Sequence, residues 1–145
     1  MKIFTIGFTR KPAEIFFTRL QAAGVKRLVD VRLNNVSQLA GFAKREDLRY
    51  FCRALCGIDY LHLRELAPTP EMLDAYKKQK GDWDLYARQF LALLSERRVE
   101  ETISQETLAE ACLLCSEELP DQCHRRLAAE YLQQKWAGVA IEHIL

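Results

Sequence analysis

Apolar and polar positions along this 145-residue chain change period several times, and each change marks an element. Short apolar runs at "KIFTIG", "KRLVDVR" and "IDYLHL" alternate with the amphipathic stretches "PAEIFFTRLQAAG" and "EDLRYFCRALCG", which is a βαβαβ pattern. Pro12 suits a first helical turn, and Gly24 and Gly57 suit helix C-termini. A stretch without strand signals follows, over about 66–107. Within it Thr69 stands as a cap before Pro70, and "DWDLYARQFLALLSERR" repeats apolar residues at helical spacing. The chain then returns to the apolar "LAEACLLC", a helix expected from about Asp121 to Trp136, and a last strand "GVAIEHI".

Strands and helices alternating at this spacing predict a mostly parallel sheet covered on both faces. The expected fold class is α/β. A single three-layer domain fills 1–145, with about five strands, helices on both faces, and a helical insertion or lid before the fourth strand.

Composition narrows the function classes. With 49% hydrophobic and 28% charged residues the chain reads as globular, and its net charge of +1 gives no whole-molecule field for nucleic acid or an acidic membrane. The opening "MKIFTIGFTRK" meets charge too early for a secretory signal, and no apolar run approaches a membrane span, so a cytoplasmic protein is expected. Five cysteines make an odd count, which favours reduced thiols over a disulfide framework.

In open parallel sheets, ligands bind beyond the carboxyl ends of the strands. Those ends are expected to gather Gly7, Phe8, Thr9 and Arg10; Asp30, Arg32 and the loop "LNNVSQLAGFAKR"; His62, Arg64 and Glu65; and Cys115, Ser116 and Glu117. Asp30 lies inside "LVDVR", where a buried carboxylate must find donors or a cation. Asp30 and Arg32 are therefore read as organised parts of the site edge. Arg10, Arg64 and Glu65 read equally well as solvated surface.

The cysteines divide. Cys52 shares helical spacing with Leu48, Phe51 and Leu55 and reads as core, and Cys56 beside Gly57 reads as structural. "CLLC" in a strand sends Cys112 and Cys115 to opposite faces, which opposes joint metal ligation. Cys115, Cys123 and His124 with one further ligand would suit zinc, but no metal is assigned. If Asp121 caps the late helix, Cys123 and His124 lie in its first turn, where unpaired N–H groups favour a thiolate or a bound anion and Arg125 or Arg126 adds charge. Cys123 turned into the core and His124 bonded to backbone are the structural alternatives. "TIGFT" lacks a dinucleotide or Walker fingerprint, no nucleophile elbow appears, and His62 and His143 stand alone on strands.

Taken in order, "TIGFTRK", "RLVDVRLNNVSQLAGFAKREDLRYF", "YLHLRELAPT" and "LLCSEELPDQCHRRLAAEYL" resemble the family called domain of unknown function 488 over nearly the whole chain. The resemblance implies an α/β fold with a "TIG" opening at Thr5, Ile6 and Gly7, a "VDVR" strand at Val29–Arg32, and an "LLC…CHR" stretch ending in Cys123, His124 and Arg125. It implies no reaction. Members often carry histidine where this chain has Phe8. "LVDVR" is also similar to a strand segment of rhodanese-like domains, but the seven residues between Cys115 and Cys123 depart from their short cysteine loop.

The leading expectation is a small enzyme with an anion-binding, thiol-containing site. Cys115, Cys123 and Asp30 are its catalytic candidates; Gly7, Thr9, Arg32, Glu117, His124 and Arg125 are its ligand-binding candidates. Its cofactors are left open, and a small anionic ligand is its expected partner. The alternatives are a non-catalytic module docking nucleic acid or protein through Lys44, Arg45, Lys77, Lys78, Lys80, Arg97 and Arg98, and a thiol redox or sulfur-transfer protein, which requires Cys115 and Cys123 within disulfide reach.

Overall fold

The computed structural model describes residues 1–35 and 41–145. Five strands form one sheet: β1 (Lys2–Gly7), β2 (Arg27–Asp30), β3 (Asp59–His62), β4 (Ala111–Cys115) and β5 (Ala140–Ile144). Their order is β3-β2-β4-β1-β5, and every pairing is parallel. The α/β expectation holds. All five carboxyl ends therefore lie on one edge.

The period of two along the strands divides the core. On one face Phe4, Ile6, Cys112 and Leu114 pack against Phe16, Phe17 and Leu20 of α1 (Ala13–Ala23) and Leu48 of α2 (Arg45–Phe51). On the other, Ile3, Val29, Ala111, Leu113 and Cys115 pack against Phe90 and Leu94, and against Leu127, Ala128 and Leu132. Cys112 and Cys115 thus face opposite ways, as the strand period predicts. β4 is buried along its whole length because it lies at the centre of the sheet, which explains why "ACLLC" is apolar throughout.

The stretch before β4 contains α3 (Pro70–Lys77), α4 (Trp83–Arg97) and the short α5 (Val99–Thr102) and α6 (Gln105–Leu108). Thr69 caps α3 by accepting from the Met72 amide, and Asp82 caps α4 by accepting from that of Leu85. Phe90 and Leu94 of α4 are fully buried in the same cluster as the last helix, α7 (His124–Lys135). This stretch is thus a covering layer of the sheet, with α3 and the first turn of α4 at the site edge.

The α7 start corrects one reading. Asp121 lies in a turn, and Cys123 is the N-cap, its own amide bonded to the Pro120 carbonyl at 3.2 Å. Asp121 is exposed and caps nothing, because that turn delays the helix by two residues.

Leu94→Ala should lower unfolding free energy by about 2–5 kcal/mol in urea titration, as for a fully buried core leucine. Leu85→Ala, on the exposed side of the same helix, should change it by less than about 0.5 kcal/mol. Equal small effects would mean that α4 is dispensable to the core.

Candidate active site

At the end of β2, Asp30 is fully buried and binds Arg32 in a fork: Nε donates to Oδ1 at 2.9 Å and Nη2 to Oδ2 at 2.7 Å. The Arg32 amide also donates to Oδ1, at 3.1 Å, and the Tyr60 hydroxyl donates to Oδ2 at 2.5 Å. Parallel pairing of β2 with β3 sets this up, placing Tyr60 opposite Leu28 and His62 opposite Asp30. Asn35 Nδ2 donates to the Tyr60 oxygen at 3.2 Å and to His62 Nδ1 at 3.1 Å, and His62 Nε2 donates to the Arg32 carbonyl at 2.7 Å. Both oxygens of Asp30 are occupied by this network. It braces the site, with Asp30 holding the Arg32 guanidinium in place. Arg32 also donates to the Ala43 carbonyl at 2.7 Å and lies 5.2 Å from the centre of the Phe8 ring, and its buried Nη1 has no partner among the described residues.

The end of β4 is organised by Arg125 in the first turn of α7. Its side chain is fully buried; Nη1 donates to the Glu117 carbonyl at 2.6 Å and to Cys115 Sγ at 3.2 Å, and Nη2 donates to the Glu118 carbonyl at 3.3 Å. No carboxylate forms an ion pair with it among the described residues. Burial lowers its pKa to about 10, which still leaves it cationic at neutral pH. Gly7 is required underneath: a Cβ there would lie 1.6 Å from the Glu117 carbonyl oxygen and 3.0 Å from Arg125 Nη1. Its place in the site is therefore steric.

Cys115 and Cys123 are joined as a disulfide, with Cα atoms 7.6 Å apart. The two sulfurs therefore meet, which the redox alternative requires, while Cys52, Cys56 and Cys112 are free. The reason is tertiary: the loop after β4 folds back under Arg125 and returns the α7 cap to the strand end. Burial raises the thiol pKa of Cys52 to about 12, as suits a core thiol, and raises those of Cys56 and Cys112 as well.

His124 Nε2 donates to the Val31 carbonyl at 2.7 Å, and Phe90 meets its ring edge to face at 5.4 Å between centroids. Burial lowers its pKa from 6.5 to about 4; Arg125 and Lys77 push the same way, and the Val31 bond and Asp30 oppose them. The imidazole is therefore neutral at pH 7.

Cys115, Cys123, His124 and Arg32 open onto a cleft of about 250 Å³, whose far wall includes Tyr76 and Tyr86. Those two rings stack at 4.7 Å, and Tyr86 continues to Phe90 at 6.4 Å, so an aromatic column runs from α3 to His124. Lys77 closes the rim through an ion pair with Glu117, and Tyr76 donates to Gln122 at 3.3 Å.

Of the sequence candidates, the cleft brings together Arg32, Cys115, Glu117, Cys123 and His124. Asp30, Gly7 and Arg125 stand behind it. Thr9 lies in a separate depression with Arg10 and Glu118, its amide bonded to the Ser116 carbonyl. Of the loop after β2, residues 36–40 lie outside the described residues. Among the basic residues of the docking alternative, Arg45 pairs with Glu46, Lys78 with Asp74 and Arg98 with Glu101, and Arg97 donates to the Arg64, Glu65 and Ala67 carbonyls. Sequence reasoning missed Tyr60, Tyr76 and Tyr86, and it placed Asn35 at the edge only as part of the loop after β2. Tyr60 and His62 share a face by strand period, so pairing β3 with β2 would have found Tyr60. No local signal pointed α3 at the cleft.

A family model described as Domain of unknown function DUF488 matches residues 12–132. No curated protein and no solved structure matches the chain.

Asp30→Asn should lower stability by about 3–5 kcal/mol, because it leaves the buried Arg32 charge without its counter-ion; urea titration reads this directly. For His124, both folded and unfolded states are neutral above pH 6.5. As pH falls from 6.5 towards 4, only the unfolded state takes up the proton, so stability drops through that window. Unfolding measured across it should show a shallower acid limb in His124→Gln than in the wild type. The comparison cancels His143, whose pKa burial also lowers.

Proposed function

The chain belongs to the DUF488 family, matched over residues 12–132, and from that premise we propose that it is an enzyme of thiol chemistry acting on a small ligand in the cleft. Cys115 is the nucleophile, Cys123 its resolving partner, and Arg125 the cation that accompanies the Cys115 thiolate. One observation carries this reading: two cysteine sulfurs meet at the cleft beside a fully buried guanidinium that has no carboxylate partner among the described residues. A buried cation needs compensation, and a thiolate formed by reduction at the Cys115 sulfur, 3.2 Å from Nη1, would supply it.

The chemistry that fits is two-electron exchange. The Cys115 thiolate attacks one sulfur of a substrate disulfide, forming a mixed disulfide and releasing the other half as a thiolate, which takes a proton from solvent. The Cys123 thiolate then attacks the Cys115 sulfur, closing the internal disulfide and releasing the second half. Two electrons have passed to the substrate, and a small thiol or dithiol reductant returns them. That supply belongs to a reducing compartment, and we place the protein in the cytoplasm. Tyr76 and Tyr86 offer the ligand an aromatic wall, and Arg32, which also lines the cleft, brings positive charge to an anionic group on it.

Reduced Cys123→Ser incubated with glutathione disulfide should accumulate one mixed disulfide, located at Cys115 by peptide mass spectrometry. Cys115→Ser should not accumulate its counterpart at Cys123 at a comparable rate. Modification confined to the half-buried Cys56, with Cys115 untouched, would sink the proposal.

A further inference from the structure

The same corner of the fold holds an arrangement that disulfide exchange does not require. One donor atom each from Cys115, Cys123 and His124 lies within 4.8 Å of the other two. We propose that, with both cysteines reduced, these three residues form a site for a soft divalent cation, zinc above all, whose fourth position opens to the cleft. The proposal rests on the thiol reading only in using the same two sulfurs.

Four observations carry it. Tetrahedral zinc, with bonds of about 2.3 Å to sulfur and about 2.0–2.1 Å to nitrogen, holds its donors roughly 3.4–3.8 Å apart, a spacing the cluster reaches once reduction lets the two bonded sulfurs part, with every donor already within 4.8 Å of the others. The Cα atoms of the cysteines are 7.6 Å apart, a span with room for an ion between their sulfurs. His124 keeps one nitrogen free to ligate: the Val31 carbonyl can only accept, so Nε2 carries the proton, and the neutral ring keeps a lone pair on Nδ1. A backbone carbonyl holding the far nitrogen of a metal-binding histidine is the usual outer support of such sites. Finally, Arg125 donates to Cys115 Sγ, a bond that a metal thiolate keeps because sulfur retains lone pairs.

The ligand set decides the ion. Two thiolates and an imidazole are soft and borderline donors, which select zinc or its analogues over magnesium or calcium. On binding, each cysteine releases its thiol proton to solvent and the two thiolate charges neutralise the cation. Three protein ligands and an open position is the pattern of a catalytic site, where water or a ligand donor completes the tetrahedron. The cleft onto which the three residues open is also lined by Tyr76, Tyr86 and Gln122, which a donor completing the set would meet.

The test is anaerobic titration of the phosphine-reduced, full-length protein with Co²⁺, read by absorption. The expected result is sulfur-to-cobalt charge-transfer bands with the intense visible bands of tetrahedral cobalt, saturating at one equivalent and lost when Zn²⁺ is added. Oxidising the cysteine pair beforehand should abolish the bands, a control that needs no variant. Cys115→Ser and Cys123→Ser should each lose most of the charge-transfer intensity, and His124→Ala should shift the visible bands and weaken binding. Only weak octahedral absorption in the reduced wild type would overturn the proposal, as would bands that survive in both cysteine variants. An unchanged spectrum in His124→Ala would remove the histidine and with it the three-ligand site. Failure here leaves mixed-disulfide trapping at Cys115 untouched, and failure of that trapping leaves the cobalt spectrum untouched, so the two readings fall separately.

Discussion

Arg125 reaches from the first turn of α7 beneath the loop that leaves β4, donating to the Glu117 and Glu118 carbonyls and to the sulfur of Cys115 without exposing any surface. A buried guanidinium needs acceptors for its donors, and here two carbonyls of the loop folded around it and the Cys115 sulfur accept from both Nη atoms. The loop then follows the arginine. It brings the α7 cap back to the end of β4 and so seats Cys123 against Cys115. It also approaches β1 so closely that Gly7 has no room for a side chain.

A second buried charge works alongside it at the end of β2. Asp30 and Arg32 neutralise one another within a network that reaches Tyr60, Asn35 and His62. Such a network adds little net stability over an apolar core, but removing one member leaves its partner stranded. Its geometric effect is to fix the backbone at Val31 and Arg32. That matters to the site because the Val31 carbonyl holds His124 and the Arg32 carbonyl holds His62. The two carboxyl ends, β2 and β4, are thus tied through His124 to one another.

The cleft is completed by the layer in front of these strand ends. α4 is anchored by Phe90 and Leu94 in the core, and its Tyr86 is buried beneath Tyr76 of α3. The rigid column from Phe90 through Tyr86 to Tyr76 gives a flat apolar wall facing the sulfurs. Lys77 and Gln122, at its rim, bond to neighbours through exposed, flexible side chains. The inner part of the cleft is preorganised, and the rim can adjust to what enters.

Periodicity by itself determined the architecture: alternating apolar strands and amphipathic helices admit few arrangements other than a covered parallel sheet, and parallel strands must gather their carboxyl ends on one edge. It also separated Cys112 from Cys115, since that follows from a period of two, and it marked Asp30 and Arg32 as organised, since a carboxylate within an apolar strand requires partners. What each gathered residue does was decided by tertiary structure. Whether Asp30 faces a ligand or Tyr60 depends on strand order, and whether Arg125 meets an anion or the carbonyls of a loop depends on where that loop turns. Cys115 and Cys123 are separated by seven residues that no local rule forces into a return. Their meeting follows from contacts made across the fold, as does the presence of α3 over the cleft, because such contacts are set by packing between elements and leave no period in the sequence.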